Sequence, residues 1–227
     1  MQAVILAAGK GERMGKLTES LPKPLLTVGG KTLLEHKFDM LPNNVDEIIL
    51  VVRYLGSAIH DRFGGVYKDK RILYVEQEKF NGSAGALWYA RGVLHDQFIV
   101  MNADDLYDKE DVIRISTESG WALSGKEMDD LGSAGKIVVD KDGLVEAIQE
   151  HGAHDGTKGF INTGLYMLDM RIFETEPVPK VAGSDELGLP QTMVAAGLPI
   201  RLVPARFWMQ ITTPEDLEKA EKILEKS

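Results

Sequence analysis

The sequence predicts an α/β fold, a doubly wound and mostly parallel sheet that carries a mixed, antiparallel extension. Three observations predict it. Short apolar runs alternate with helical patterns up to Gly120, the rhythm of a parallel sheet with helices on both faces. After Gly120, strand follows strand through loops rich in Gly and Asp. A capped amphipathic helix then closes the pattern.

Residues 3–6 form the first buried strand, because four consecutive apolar side chains leave it no polar face. A helix follows over 32–41, opened by Thr32 with Glu35 three positions on, a spacing at which each side chain satisfies the other's free backbone N–H. Strand 47–52, a helical segment at 58–63, strand 72–75, a helix over 83–94 and strand 98–101 complete the alternation. Runs 136–139, 144–148 and 160–168 read as the mixed extension. Thr213 at the N-cap and Pro214 at the first helical position start the last helix, with Leu217, Ala220 and Leu224 on one face.

With 44% hydrophobic and 27% charged residues, the 227-residue chain suits one domain with a sizeable core. A formal net charge of -9 repels polyanions overall, which argues against a general binder of nucleic acid or membrane surface and leaves room for local basic pockets. The 0 cysteines provide no disulfide, thiolate nucleophile or thiolate metal site. Neither a basic leader nor an apolar run near the roughly 20 residues of a membrane helix is visible, so a cytoplasmic location is expected. Repeats, low-complexity tracts and linkers are also missing from the pattern, which places the active site within the single domain.

In such a sheet ligands bind beyond the carboxyl ends of the strands. The first strand runs into Leu6-Ala7-Ala8-Gly9-Lys10-Gly11-Glu12-Arg13-Met14. Gly9 and Gly11 let the backbone approach a bound group with its N–H donors, and Arg13 adds a guanidinium fork suited to phosphate oxygens. Lys23, between Pro22 and Pro24, is held by restricted neighbours that can aim its ammonium at the same anion. Taken singly, each feature also reads as a plain turn or a solvated lysine; together they point to phosphate.

This opening, followed by Pro22-Lys23-Pro24-Leu25, resembles the nucleoside-triphosphate loop of the sugar-1-phosphate nucleotidyltransferases. Four further segments resemble that family in the same order: Glu76-Gln77 with Gly82-Ser83-Ala84-Gly85-Ala86-Leu87, Asn102-Ala103-Asp104-Asp105-Leu106, the strand through Asn162-Thr163-Gly164-Leu165-Tyr166, and Trp208 to Leu217. The resemblance implies a Rossmann-like sheet and transfer of a nucleoside monophosphate from a triphosphate to a sugar 1-phosphate. A phosphate oxygen attacks in line, without a protein nucleophile. Arg13 and Lys23 are then the catalytic cations. Leu6, Ala8, Gly9, Gly11, Gln77, Gly82, Ser83 and Asn102 bind the nucleotide. Asp104 and Gln210 hold Mg2+, and Glu150, Asn162 and Lys158 meet the sugar phosphate. The nucleotide part is expected over about 1–120, the sugar part over 121–212 and the final helix over 213–226, in a monomer or homo-oligomer.

The chain departs from the family pattern at three places. Ala103 stands where glycine is usual. Glu150-His151-Gly152 replaces the Glu-Lys-Pro of many relatives, so Lys158 is put forward for the missing lysine. Gln210 occupies the position of the second metal-binding aspartate, and a neutral amide attracts a hard dication less than a carboxylate does. A nucleotide-binding regulatory protein is therefore one alternative. A glycosyltransferase, suggested by Asp104-Asp105, is another, although it has no need for Arg13 and Lys23. A cytidylyltransferase of isoprenoid or polyol phosphates shares the opening loop, while Gly82 to Leu87 and the Pro214 helix favour the sugar branch. A dinucleotide-dependent oxidoreductase ranks last, because the loop lacks the third glycine of its fingerprint. The pattern shows no hexapeptide-repeat acetyltransferase tail, so a single reaction is expected.

Overall fold

The computed structural model describes residues 1–132, 134–150 and 155–225. In chain order the elements are β1 (Gln2–Leu6), β2 (Thr27–Val28), β3 (Lys31–Thr32), α1 (Leu33–Met40), β4 (Glu47–Val52), α2 (Gly56–Phe63), β5 (Val66–Tyr67), β6 (Lys70–Glu76), α3 (Gly82–Tyr89) and β7 (Gln97–Asn102). Then come β8 (Asp105–Tyr107), α4 (Lys109–Ser116), β9 (Trp121–Asp130), β10 (Lys136–Val139), β11 (Val145–Gln149), β12 (Thr157–Asp169), α5 (Leu189–Ala195), β13 (Ile200–Pro204), β14 (Trp208–Gln210) and α6 (Pro214–Leu224).

Four apolar runs make the parallel centre of the main sheet, in the order β7-β1-β4-β6. All six residues of β4 are buried, as expected for a strand covered on both faces. Alternation sorts β1 between two cores: Ala3 and Ile5 pack on one side with Phe38 and Met101, and Val4 packs on the other with Phe98 and Leu168. The extension begins at β12, which runs antiparallel to β7 and then continues through β10 to β11. Residues 121–130 were unmarked by the hydrophobic pattern, yet as β9 they are the pivot of this half, pairing with β12 on one side and β13 on the other. The first five residues of β9 are buried and the remainder mostly exposed, because its outer end runs beyond the core.

Both anticipated helix starts form. Thr32 N–H donates to Glu35 Oε2 at 2.7 Å while Glu35 N–H donates to Thr32 Oγ1 at 3.1 Å. At α6, Asp216 Oδ2 accepts from the N–H groups of Thr212 and Thr213 at 3.0 and 2.9 Å. Ala220, with Leu217 and Leu224 beside it, packs α6 onto Met14, Val28 and Leu33, so the last helix braces the loop that follows β1. Among the described residues no helix is long and apolar enough to cross a membrane.

Candidate active site

Three adjoining cavities open at the carboxyl ends of β1, β6 and β7. The first, of about 630 Å³, is bordered by Gly9, Gly11, Arg13, Lys23, Asp104 and Thr212. A second, of about 200 Å³, lies against Leu6, Ala8, Gln77, Phe80, Gly82 and Asn102. Glu150, Asn162, Gln210, Lys180 and Gln191 border the third, of about 520 Å³. Gly9 borders all three, and Arg13 and Asp104 border both the first and the third. A ligand in one cavity therefore meets a ligand in the next at the Arg13–Asp104 gap.

The loop of the first cavity is built around its glycines, and each does different work. A Cβ at Gly9 would meet no atom within 4 Å, so that backbone faces open space. Gly11 adopts φ 68°, and a Cβ there would lie 3.0 Å from Lys23 Cβ, so its bare backbone admits the lysine stem. Thr18 Oγ1 donates to the Gly11 carbonyl at 3.0 Å, and buried Met14 anchors the turn below. Lys23 is thereby packed to 6% exposure, and its Nζ donates to Asp104 Oδ2 at 2.6 Å.

Asp104 is set by the turn after β7. Its carbonyl accepts from Ile211 N–H at 3.1 Å, and β14 pairs with β8 so that Gln210 lies opposite Asp105. Asp105 is buried; its Oδ2 accepts from Asn102 Nδ2 at 3.1 Å, while its Oδ1 has no hydrogen-bond partner among the described residues. Burial pushes its carboxyl up and Asp104 adds to the rise, with the ammonium of Lys37 opposing. Lys37, from α1, is fully buried with Nζ 4.5 Å from the Tyr107 ring centroid, and burial pushes its ammonium down against the pull of Asp105 and Asp104. Sequence reasoning missed this internal cation.

At the second cavity, Gln77 Nε2 donates to Asn81 Oδ1 at 2.9 Å. The Asn81 amide fills the space over Gly85, where a Cβ would come within 2.0 Å of its Oδ1. Gly85 thus makes room for Asn81, not for a ligand ring. The start of α3 is stitched to residues 187–189: Leu187 N–H donates to Asn81 O at 2.9 Å, Ala84 N–H to Leu187 O at 3.1 Å, and Leu189 N–H to Ser83 Oγ at 3.0 Å. Ser83 borders the cavity while its hydroxyl serves this seam. Phe80, 46% exposed, borders both the first and the second cavity, with the Arg53 guanidinium 4.0 Å from its ring centroid.

In the third cavity, Gln191 Nε2 donates to Glu150 Oε1 at 2.6 Å. Gln191 Oε1 and Trp208 Nε1 are buried polar atoms that have no hydrogen-bond partner among the described residues. Asn162 Nδ2 donates to the Tyr166 hydroxyl at 2.7 Å, and its Oδ1 accepts from Gly164 N–H at 3.0 Å. Lys158 requires a correction, since it does not border the cavity: its Nζ lies 3.2 Å from Glu127 and 3.9 Å from Asp129 on the exposed part of β9. His151 and Gly152 lie outside the described residues. Lys180 and Gln191 were not anticipated, since they come from segments outside the motifs and only the fold brings them in; Trp208 heads the last motif, although no role at the cavity was assigned to it.

Residues 2–227 match the profile of the family described as "Nucleotidyl transferase". Among curated proteins, the chain is 30% identical over 227 residues to the bifunctional protein GlmU of Methanocaldococcus jannaschii, covering 99% of this chain and 54% of that one. The chain thus spans about half the length of the bifunctional relatives it matches. It is 27% identical to the UTP–glucose-1-phosphate uridylyltransferase AglF of Haloferax volcanii, over 99% of this chain and 97% of that protein. Among solved structures, HddC of Yersinia pseudotuberculosis complexed with GMP-PN superposes with a TM-score of 0.73 at 27% identity, covering 98% of both chains.

Proposed function

Since the chain belongs to the nucleotidyl transferase family, we propose that it moves a nucleoside monophosphate from a nucleoside triphosphate onto a sugar 1-phosphate or closely related phosphate and releases pyrophosphate. One observation carries this reading: Arg13 and Asp104 border both the loop cavity and the Glu150–Asn162 cavity, so two phosphate-bearing substrates would meet between them. The base lies in the small cavity against Gln77 and Gly82, and the triphosphate along Gly9, Gly11 and Lys23. Each substrate is a polyanion, and the reaction needs no protein nucleophile. What the chain supplies is juxtaposition and positive charge where the transferring and leaving phosphoryl oxygens gain charge. Trp208 Nε1 and Gln191 Oε1, without a hydrogen-bond partner among the described residues, offer one donor and one acceptor to a polyhydroxylated acceptor molecule.

The donor set suits Mg2+ only as a site that substrate completes. Among the described residues no group of three acidic or histidine side chains converges. Asp104 and Gln210 border one cavity, and Mg2+ commonly takes one or two carboxylates with the remaining ligands from phosphates and water. Asp104 and Gln210 would hold the ion, which when bound would neutralise phosphate charge. Gln210→Asp is accordingly expected to lower the Mg2+ concentration for half-maximal rate by several-fold, since a carboxylate replaces an amide. An unchanged Mg2+ titration would remove Gln210 from the site.

The reading is tested by offering the purified protein each nucleoside triphosphate against a panel of sugar 1-phosphates and inositol 1-phosphate, with Mg2+, and recording pyrophosphate release. At least one pair should give sustained turnover. Neutral Gln210 favours one other reading, a protein that binds nucleotide without transferring it; silence over the whole panel with nucleotide bound would establish that instead.

A further inference from the structure

The third cavity has an unusual charge problem. Among the described residues, four carboxyl side chains border it, Asp104, Asp105, Glu150 and Glu186, against two cations, Arg13 and Lys180. Arg13 also borders the loop cavity, where a triphosphate would engage it. A phosphate dianion entering among these carboxylates needs a positive charge that the nucleotide does not already occupy. Resting on the transfer reading above, we propose that Lys180 is the residue that holds the phosphate of the acceptor substrate.

The local structure supports this assignment. Lys180 N–H donates to Glu186 O at 2.7 Å and Gly188 N–H to Val178 O at 3.0 Å, which closes a small hairpin over residues 178–188. That hairpin is tied to the start of α3 through Leu187 and Leu189. The Lys180 backbone is therefore fixed at the cavity edge while its side chain is exposed, and among the described residues it enters no ion pair. A lysine fixed at its base and unpaired at its tip presents a compact, rotatable charge, which suits a phosphate that must leave one oxygen free to attack. Lys158, by contrast, is already engaged by two acids.

The test varies both substrates in steady-state pyrophosphate release by wild type, Lys180→Ala, Lys180→Arg and Lys158→Ala. Lys180→Ala should raise the acceptor KM by about 10- to 100-fold, the range of a lost charge-assisted hydrogen bond, and leave the nucleotide KM within about twofold. Lys180→Arg should restore most of the acceptor affinity, and Lys158→Ala should match wild type. Inorganic phosphate should bind wild type more tightly than Lys180→Ala in calorimetry, a readout independent of turnover. Equal phosphate affinity in the two proteins, or a KM change confined to the nucleotide, overturns the role of Lys180. A wild type that turns over no substrate pair overturns the transfer reading, and the phosphate titration still decides on Lys180.

Discussion

Lys23→Ala is expected to lower the rate of pyrophosphate release by about two to three orders of magnitude, the usual loss when one preorganised donor to developing negative charge is removed. The size follows from where the lysine sits. Its stem is packed against Gly11 to 6% exposure, so the ammonium needs no reorganisation to act. It also holds Asp104 at 2.6 Å, between the two cavities where the phosphates would meet. Removing it deletes a charge from the phosphate side and releases the carboxylate on the other. Lys23→Met separates the contributions, since it keeps the stem and discards the charge. It should be as slow as Lys23→Ala and melt close to wild type. Turnover within about threefold of wild type in both variants would place Lys23 outside the reaction.

The parts of this molecule that were legible in the sequence are those whose cause is local. The Thr32/Glu35 box, the Thr213-Pro214 start and the apolar runs within strands β1, β4 and β7 each state their structure within a few residues. So does the loop after β1, because two glycines, an arginine and a proline-flanked lysine carry their chemistry in their spacing. By contrast, β9 is legible only through its partners. Its outer half, Lys126 to Asp130, is polar and would read as loop without β12 beside it. Lys180 and Gln191 reach the site through a hairpin and α5, whose approach depends on long-range pairing, and no short pattern records that.

Lys158 shows how a local argument can hold the right face and the wrong place. Alternation puts residues 158, 160 and 162 on one side of β12, the side of Asn162. Four residues of strand cover roughly 13 Å, however, which leaves Lys158 beyond the cavity and beside Glu127 and Asp129, and those acids take it. Lys37 had the opposite history. It occupies the buried stripe of α1 with Leu33, Leu34 and Phe38, a position that the helical period reserves for an apolar side chain. A lysine at such a position is itself the signal, since a buried ammonium calls for nearby acids, here Asp105 and Asp104.

The largest expected effect on stability is at Gly82, where the second cavity and the 178–188 hairpin meet. Gly82 adopts φ 85°, and a Cβ there would lie 2.3 Å from Leu187 O and 2.7 Å from Leu187 N. Both obstacles are backbone, so no rotamer change relieves them. Positive φ costs an L-residue about 1–2 kcal/mol and forced overpacking typically about 1–3 kcal/mol, so Gly82→Ala should lower stability by roughly 2–5 kcal/mol and Tm by roughly 5–15 °C. Any relief comes from moving the hairpin, which stretches the Leu187–Asn81, Ala84–Leu187 and Leu189–Ser83 bonds together and carries Lys180 away from the cavity. Protein that remains folded should therefore show a raised KM for nucleotide and acceptor alike. Gly9→Ala is the matched control, because its Cβ would meet nothing within 4 Å while Gly9 borders all three cavities. It should melt near wild type and lose substrate affinity. A Gly82→Ala protein with wild-type Tm and both KM values unchanged would show that the seam between α3 and the hairpin yields freely, and the mechanical link between the two subsites would have to be abandoned.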